Sequence, residues 1–114
     1  MTPNDPHQPG VKLDQGKIRP NLILSEFPNA LLSIAAVATM GAEKYTDNGW
    51  KYVPDGISRY SDAFFRHWLA HASGEIVDEE SGLLHLAHSA WNMLAILELY
   101  IREPHAHVSS ISDV

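Results

Sequence analysis

His85-Leu86-Ala87-His88-Ser89-Ala90-Trp91-Asn92 sets two imidazoles and a carboxamide inside a run, Leu83 to Tyr100, that is otherwise almost wholly apolar. At about 3.6 residues per turn, His85, His88 and Asn92 fall within roughly 60° of one another on one helix face. Leu84, Leu86, Trp91, Met93, Leu94, Ile96 and Leu97 make the rest of that helix apolar enough to be covered on several sides. Buried polar groups need hydrogen-bond partners, a ligand or a metal. Satisfied polar residues in a helix interface are one reading of this face, and a binding or catalytic site is the other.

The segment before it reads as a helix from Ser58, as N-cap, to Gly74, as stop. Ala63, Phe64, Phe65, Trp68, Leu69 and Ala72 form its apolar side. Arg59, Asp62 and Arg66 recur at i, i+3 and i+7 as a polar stripe, with His67 adjacent. Asp62 and Arg66 also have the spacing of a plain ion pair, worth a few tenths of a kcal/mol. The connector Gly74 to Gly82 is acidic, and Glu75, Asp78, Glu79 and Glu80 suit the positive N-terminal end of the helix that follows. That last helix runs to about Arg102 and stops before Pro104. A connection this short predicts an antiparallel hairpin, with Asp62, Arg66 and His67 near the level of His88 and Asn92.

Further upstream, Ser25 is an N-cap candidate and Pro28 fits the first turn of a helix ending near Tyr45. Leu31, Leu32, Ile34, Ala35, Val37, Ala38 and Met40 give it a broad apolar surface. Thr46 to Trp50 and Pro54-Asp55-Gly56 are turns by composition. Val11 to Pro20 reads as extended, open to a short strand or hairpin. There Lys17 and Arg19 are either a solvated basic loop or phosphate-binding charge. The expected organisation is a flexible arm over 1–11, a single domain over 12–103 and a flexible tail over 104–114, with His105 and His107 as tail residues.

With 114 residues, 45% hydrophobic and 19% charged, the chain is that of one soluble globular domain. A net charge of -6 argues against DNA, RNA or acidic membrane as partner. No apolar run is long enough for a membrane span, and no signal segment is evident, so a cytoplasmic location is expected. Cysteine is absent, which removes disulfides and thiolate metal sites. All the lysines and arginines except Arg102 precede residue 70, whereas Glu75, Asp78, Glu79, Glu80, Glu98 and Glu103 follow it. Folding that opposes these halves suits a small phosphorylated ligand, with or without a cation, and suits intersubunit salt bridges equally. Three helices make a thin core, so a homo-oligomer, a dimer or larger, is expected.

Several motifs in order carry a resemblance. Gly16-Lys17-Ile18-Arg19-Pro20-Asn21-Leu22 is followed by Gly41-Ala42-Glu43-Lys44-Tyr45 and Asn48-Gly49-Trp50. Ser58-Arg59-Tyr60, Arg66-His67 and Ser81-Gly82-Leu83-Leu84 running into His85–Asn92 complete the set. Over about residues 12–100 the chain resembles the phage-associated dATP/dGTP diphosphohydrolase N-terminal family. The resemblance implies an all-α, MazG-like helical bundle completed by oligomerisation. It also implies cleavage of a deoxypurine triphosphate to monophosphate and pyrophosphate with a divalent cation, Mg²⁺ or Mn²⁺.

MazG enzymes carry E-E-x-x-E and E-x-x-D segments that cage Mg²⁺. Here the first aligns near Arg59-Asp62-Arg66-His67 and the second falls on His85-Leu86-Ala87-His88, histidines in place of acids. Three outcomes follow. Imidazoles with a carboxylate bind a softer ion such as Mn²⁺ or Zn²⁺. Alternatively His88, His85 and His67 serve as general base or phosphate donor, with the metal on Asp62, Glu75 or Asp78. In the third, hydrolysis is lost and the chain is a sponge, needing no cofactor, for cyclic or ADP-ribose-derived immune signals of the anti-Thoeris or anti-CBASS type. In each case Lys17, Arg19, Arg59 and Arg66 are the phosphate contacts, Asn92 reads base or ribose, and Trp50 or Trp91 stacks.

Overall fold

The structure, a computed structural model, describes residues 5–103. It is all-α: among the described residues no strand forms, and only an isolated antiparallel bridge joins Val77 to Leu84. Helix α1 (Asn21–Leu24) is a single turn, α2 (Pro28–Lys44) and α3 (Gly56–Ala72) are long, and α4 (His85–Arg102) ends the described chain. A 3₁₀ turn, Gly49–Tyr52, lies between α2 and α3. No helix among the described residues is long and apolar enough to cross a membrane.

The segment before α1 forms no strand or hairpin. Its turns close through Gln8 N–H to the Asp5 carbonyl (3.1 Å) and Lys17 N–H to the Asp14 carbonyl (3.1 Å). The tail expected over 104–114 and the first four residues of the arm lie outside the described residues. Two helix starts differ from expectation. Ser25 does not cap α2; it closes α1, its Oγ donating to the Asn21 carbonyl (2.6 Å), and Pro28 itself opens α2. Ser58 lies inside α3, which begins two residues earlier because Asp55 takes a left-handed conformation (φ 54°) that turns the chain into the helix.

Helices α3 and α4 form the expected antiparallel pair. Gly56 lies beside Leu99, the Ser89 hydroxyl donates to the Phe64 carbonyl (3.0 Å), and His67 meets His85. The loop between them is built in two steps. Gly74, at φ +103°, ends α3 by donating to the His71 carbonyl (3.0 Å) while Glu75 N–H donates to Ala70 (3.0 Å), the paired bonds of a Schellman stop. Asp78 N–H then donates to Leu83 (2.8 Å) and His85 N–H to Ile76 (3.0 Å), which folds the connector back over the start of α4.

Helix α2 crosses the start of α4, with Ser33 and Ala36 opposite Leu84 and Ala87, and Lys44 pairs with Glu80 at 2.9 Å. The apolar core is slight: among the described residues Val37, Ala87 and Ala95 are its buried members, and no large side chain is fully enclosed. Leu94, Leu97 and Ile101, at i, i+3 and i+7 on the side of α4 away from its histidines, are about half exposed. So are Phe65, Trp68 and Leu69 on the outside of α3.

Candidate functional site

Because α4 begins at His85, both of its histidines fall in its first turns, on the face turned to α3. His85 and His88 are 4% and 6% exposed, and Asn92, a turn further on, is buried with them. From α3, His67 enters the same space. Its Nδ1 lies 2.8 Å from His85 Nδ1, and its ring stacks on that of His88 with centroids 4.3 Å apart and planes within 9°. Three imidazoles from two helices therefore touch.

The connector supplies two carboxylates. Asp78 Oδ2 accepts from the backbone N–H (3.1 Å) and the hydroxyl (2.7 Å) of Ser81. With its one proton given to Asp78, Ser81 Oγ accepts from His88 Nε2 at 2.7 Å, so His88 carries its proton on Nε2. Asp78, Ser81 and His88 thus form a chain of donors ending on a carboxylate, with Asp78 Oδ2 3.6 Å from His88 Nε2. Glu75 Oε1 lies 3.3 Å from His85 Nε2. That distance is ion-pair range without hydrogen-bond geometry, and the buried His85 Nε2 has no hydrogen-bond partner among the described residues. One donor atom each of His67, Asp78 and His85 lies within 4.8 Å of the other two.

Burial, reinforced by the neighbouring His88, pushes the His67 imidazole below its ordinary value, with Asp78 opposing. Burial also lowers His88, again against Asp78. For Asp78, burial pushes the carboxyl up, but the two hydrogen bonds from Ser81, together with the neighbouring His88 and His67, outweigh it and hold the group below the usual carboxylate value. The sign of the pH dependence follows. Below the ordinary histidine value of 6.5 the unfolded chain binds more protons at His67 and His88 than the folded one does. Stability is therefore full above about pH 6.5 and is lost as pH falls through the lower folded values; Asp78 adds a loss of the same sign below 3.8. In chelator-treated protein, Tm is expected to fall between about pH 7.5 and pH 5.5, and His88→Gln to flatten the slope. A Tm that is constant or rises in acid contradicts neutral buried imidazoles.

The remaining candidates are dispersed. Arg59, Asp62 and Arg66 occupy the right levels of α3 but lie round the helix from the contact, about 100° from His67 in the case of Arg66. All three are exposed, Asp62 is outside the imidazole cluster, and Arg59 Nη1 turns to the Pro54 carbonyl (3.4 Å). Arg66, next to His67 in the chain, is near enough for its charge to act on that imidazole. Lys17 and Arg19 are exposed in the segment before α1. Asn92, placed to read a base by the sequence, is instead buried with Nδ2 donating to the His88 carbonyl (2.8 Å). Ring contact closes the space between the helices at the histidines, and the accessible part of the site is the edge formed by His67, Asp78 and Glu75.

Trp50 packs edge-on to Trp91 (6.0 Å) and Tyr60 (6.4 Å) and lines an open cleft of about 290 Å³ with Leu94, Ala95 and Glu98. That cleft lies beside the later turns of α4, away from the histidines. Sequence reasoning missed Ser81 as the link between Asp78 and His88. The Asp-x-x-Ser spacing before Gly82 was its only signal, since such a turn lets a hydroxyl return to the carboxylate.

Among known proteins, a dATP/dGTP diphosphohydrolase of Salmonella phage PMBT28 is 35% identical over 95 residues, covering 83% of this chain and 31% of the relative. The chain thus spans about a third of that protein's length. No solved structure matches. The family description "dATP/dGTP diphosphohydrolase, N-terminal" matches residues 7–108, which include every group of the histidine cluster. The chain belongs to the dATP/dGTP diphosphohydrolase N-terminal family.

Proposed function

We propose that the chain hydrolyses a purine deoxynucleoside triphosphate to the monophosphate and pyrophosphate at the edge of the α3–α4 pair, as a homo-oligomer in the cytoplasm. The observation that carries this reading is the convergence of His67, His85, Asp78 and Glu75 inside the segment shared with the phage diphosphohydrolase. Arg66, exposed and near enough for its charge to reach His67, supplies charge to a triphosphate.

In the reaction, a water oxygen attacks the α-phosphorus, the bond from that phosphorus to the bridging oxygen breaks, and pyrophosphate leaves with that oxygen. The water's proton passes to Glu75, the most exposed acid against the imidazoles, whose second oxygen is left for water when the first faces His85. His88 is covered and already donates to Ser81, so it acts by holding Asp78 in place. The all-carboxylate Mg²⁺ cage implied by MazG chemistry does not fit these residues. Asp62 lies off the cluster, and nitrogen donors outnumber oxygens in the triad of His67, His85 and Asp78.

Association follows from the thin core and from the half-exposed Leu94, Leu97 and Ile101. Incubation with dATP and dGTP, with Mg²⁺, Mn²⁺ or Zn²⁺, is expected to release pyrophosphate and the monophosphate on chromatography. Recovery of an intact bound nucleotide after heat denaturation, cyclic and ADP-ribose-type ligands included, would show capture without turnover and overturn the hydrolase reading.

A further inference from the structure

His67, His85 and Asp78 converge from two helices and the loop that joins them, and their donor set is two nitrogens and a carboxylate. We propose that these three residues bind a first-row transition-metal dication of the Zn²⁺ and Co²⁺ kind, in preference to Mg²⁺.

Donor chemistry separates the two classes of ion. Imidazole nitrogen suits Zn²⁺ and Co²⁺, whereas Mg²⁺ demands hard oxygens in near-octahedral array and gives up water reluctantly. Asp78 is the only oxygen donor in the triad, and Glu75 stands behind His85. Donors around one such ion stand roughly 3–4 Å apart. The nitrogens of His67 and His85 are 2.8 Å apart and the whole trio spans 4.8 Å, so rotamer-scale adjustment is enough.

The surroundings are those of ligands already aimed. Ligating histidines commonly present their other nitrogen to a carboxylate, and ligating carboxylates are themselves hydrogen-bonded. Here the buried Nε2 of His85, without a hydrogen-bond partner among the described residues, has Glu75 Oε1 at 3.3 Å, and Asp78 is gripped by Ser81 through two bonds. His88 is engaged with Ser81, which keeps it out of the ligand set while its ring braces His67 from the side. The arrangement is that of two imidazoles and a carboxylate with positions left open, the class that also admits a phosphate oxygen or water.

The donor set carries this independently of the reaction proposed above, and the experiment separates the two. Protein freed of any affinity tag and of metal is titrated with Co²⁺, and the ligand-field absorption in the visible is followed. One Co²⁺ per chain is expected, displaced by an equivalent of Zn²⁺ and not by about a 10³-fold excess of Mg²⁺. Outer-shell changes at such sites weaken binding by about 10–100-fold, so His67→Gln, His85→Gln and Asp78→Asn should each weaken Co²⁺ by more than about 100-fold. Should His85→Gln fail to fold by circular dichroism, the two half-buried positions, His67 and Asp78, decide. Absence of the band, a band unchanged in these variants, or displacement by Mg²⁺ on equal terms overturns the site. Stoichiometric Co²⁺ without nucleotide cleavage removes the hydrolase reading and leaves the metal; cleavage with Mg²⁺ and no Co²⁺ band does the reverse.

Discussion

Glu75→Gln is expected to lower kcat for dATP or dGTP cleavage by at least about 10²-fold at saturating metal, the lower range for losing a general base. The substitution keeps the side chain's size and removes its negative charge together with its ability to take a proton. Glu75 is exposed, and its backbone N–H, not its carboxylate, closes the end of α3. Glutamine can turn its amide oxygen to the same buried His85 Nε2 that Glu75 Oε1 faces at 3.3 Å, so the fold should persist and Tm should stay within a few degrees of the parent. Glu79→Gln, a neighbouring exposed acid in the same connector, serves as the control and should turn over at the parental rate. Equal rates for Glu75→Gln and the parent would remove Glu75 from the proton transfer and return that role to the imidazoles.

The second large effect concerns assembly. Leu94 and Leu97 are each about half exposed on one face of α4. Burying a leucine fully is worth about 1.5–3 kcal/mol, so covering what remains exposed contributes somewhat less, while placing a glutamate there adds the cost of desolvating a charge. Together Leu94→Glu and Leu97→Glu are expected to weaken self-association by roughly 3 kcal/mol, about 10²-fold in Kd. Sedimentation should show the parent as a multiple of the single-chain mass and the double variant shifted toward that mass. The parent's Tm should also rise with protein concentration, because association stabilises only the folded chain. A parent that sediments as a single chain at every concentration would end the oligomer proposal.

What the sequence made legible was whatever periodicity governs. The helical repeat of α4 put His85, His88 and Asn92 on one face, and the short acidic connector made α3 and α4 an antiparallel pair. Both hold in the structure. Periodicity also grouped Arg59, Asp62 and Arg66 correctly as one stripe. Which stripe turns toward a neighbour is decided by packing, however, and Ala63, Phe64 and His67 won that place because they bury more apolar surface. The helix starts were missed because they rest on backbone conformation: Asp55 enters a left-handed state and Ser25 serves the turn before it. The Ser81 link was hidden for a related reason. It exists only once the connector folds back, when Asp78 and Leu83 pair across the turn at Gly82 (φ +74°).

All the groups of the cluster fall between Glu75 and His88 except His67, which is 18 positions from His85. Closing so short a stretch carries a small entropic penalty and can occur early in folding. The chemistry is thus packaged as one contiguous cassette of hairpin and loop, braced from outside where α2 lies across the start of α4 and Lys44 ties down Glu80.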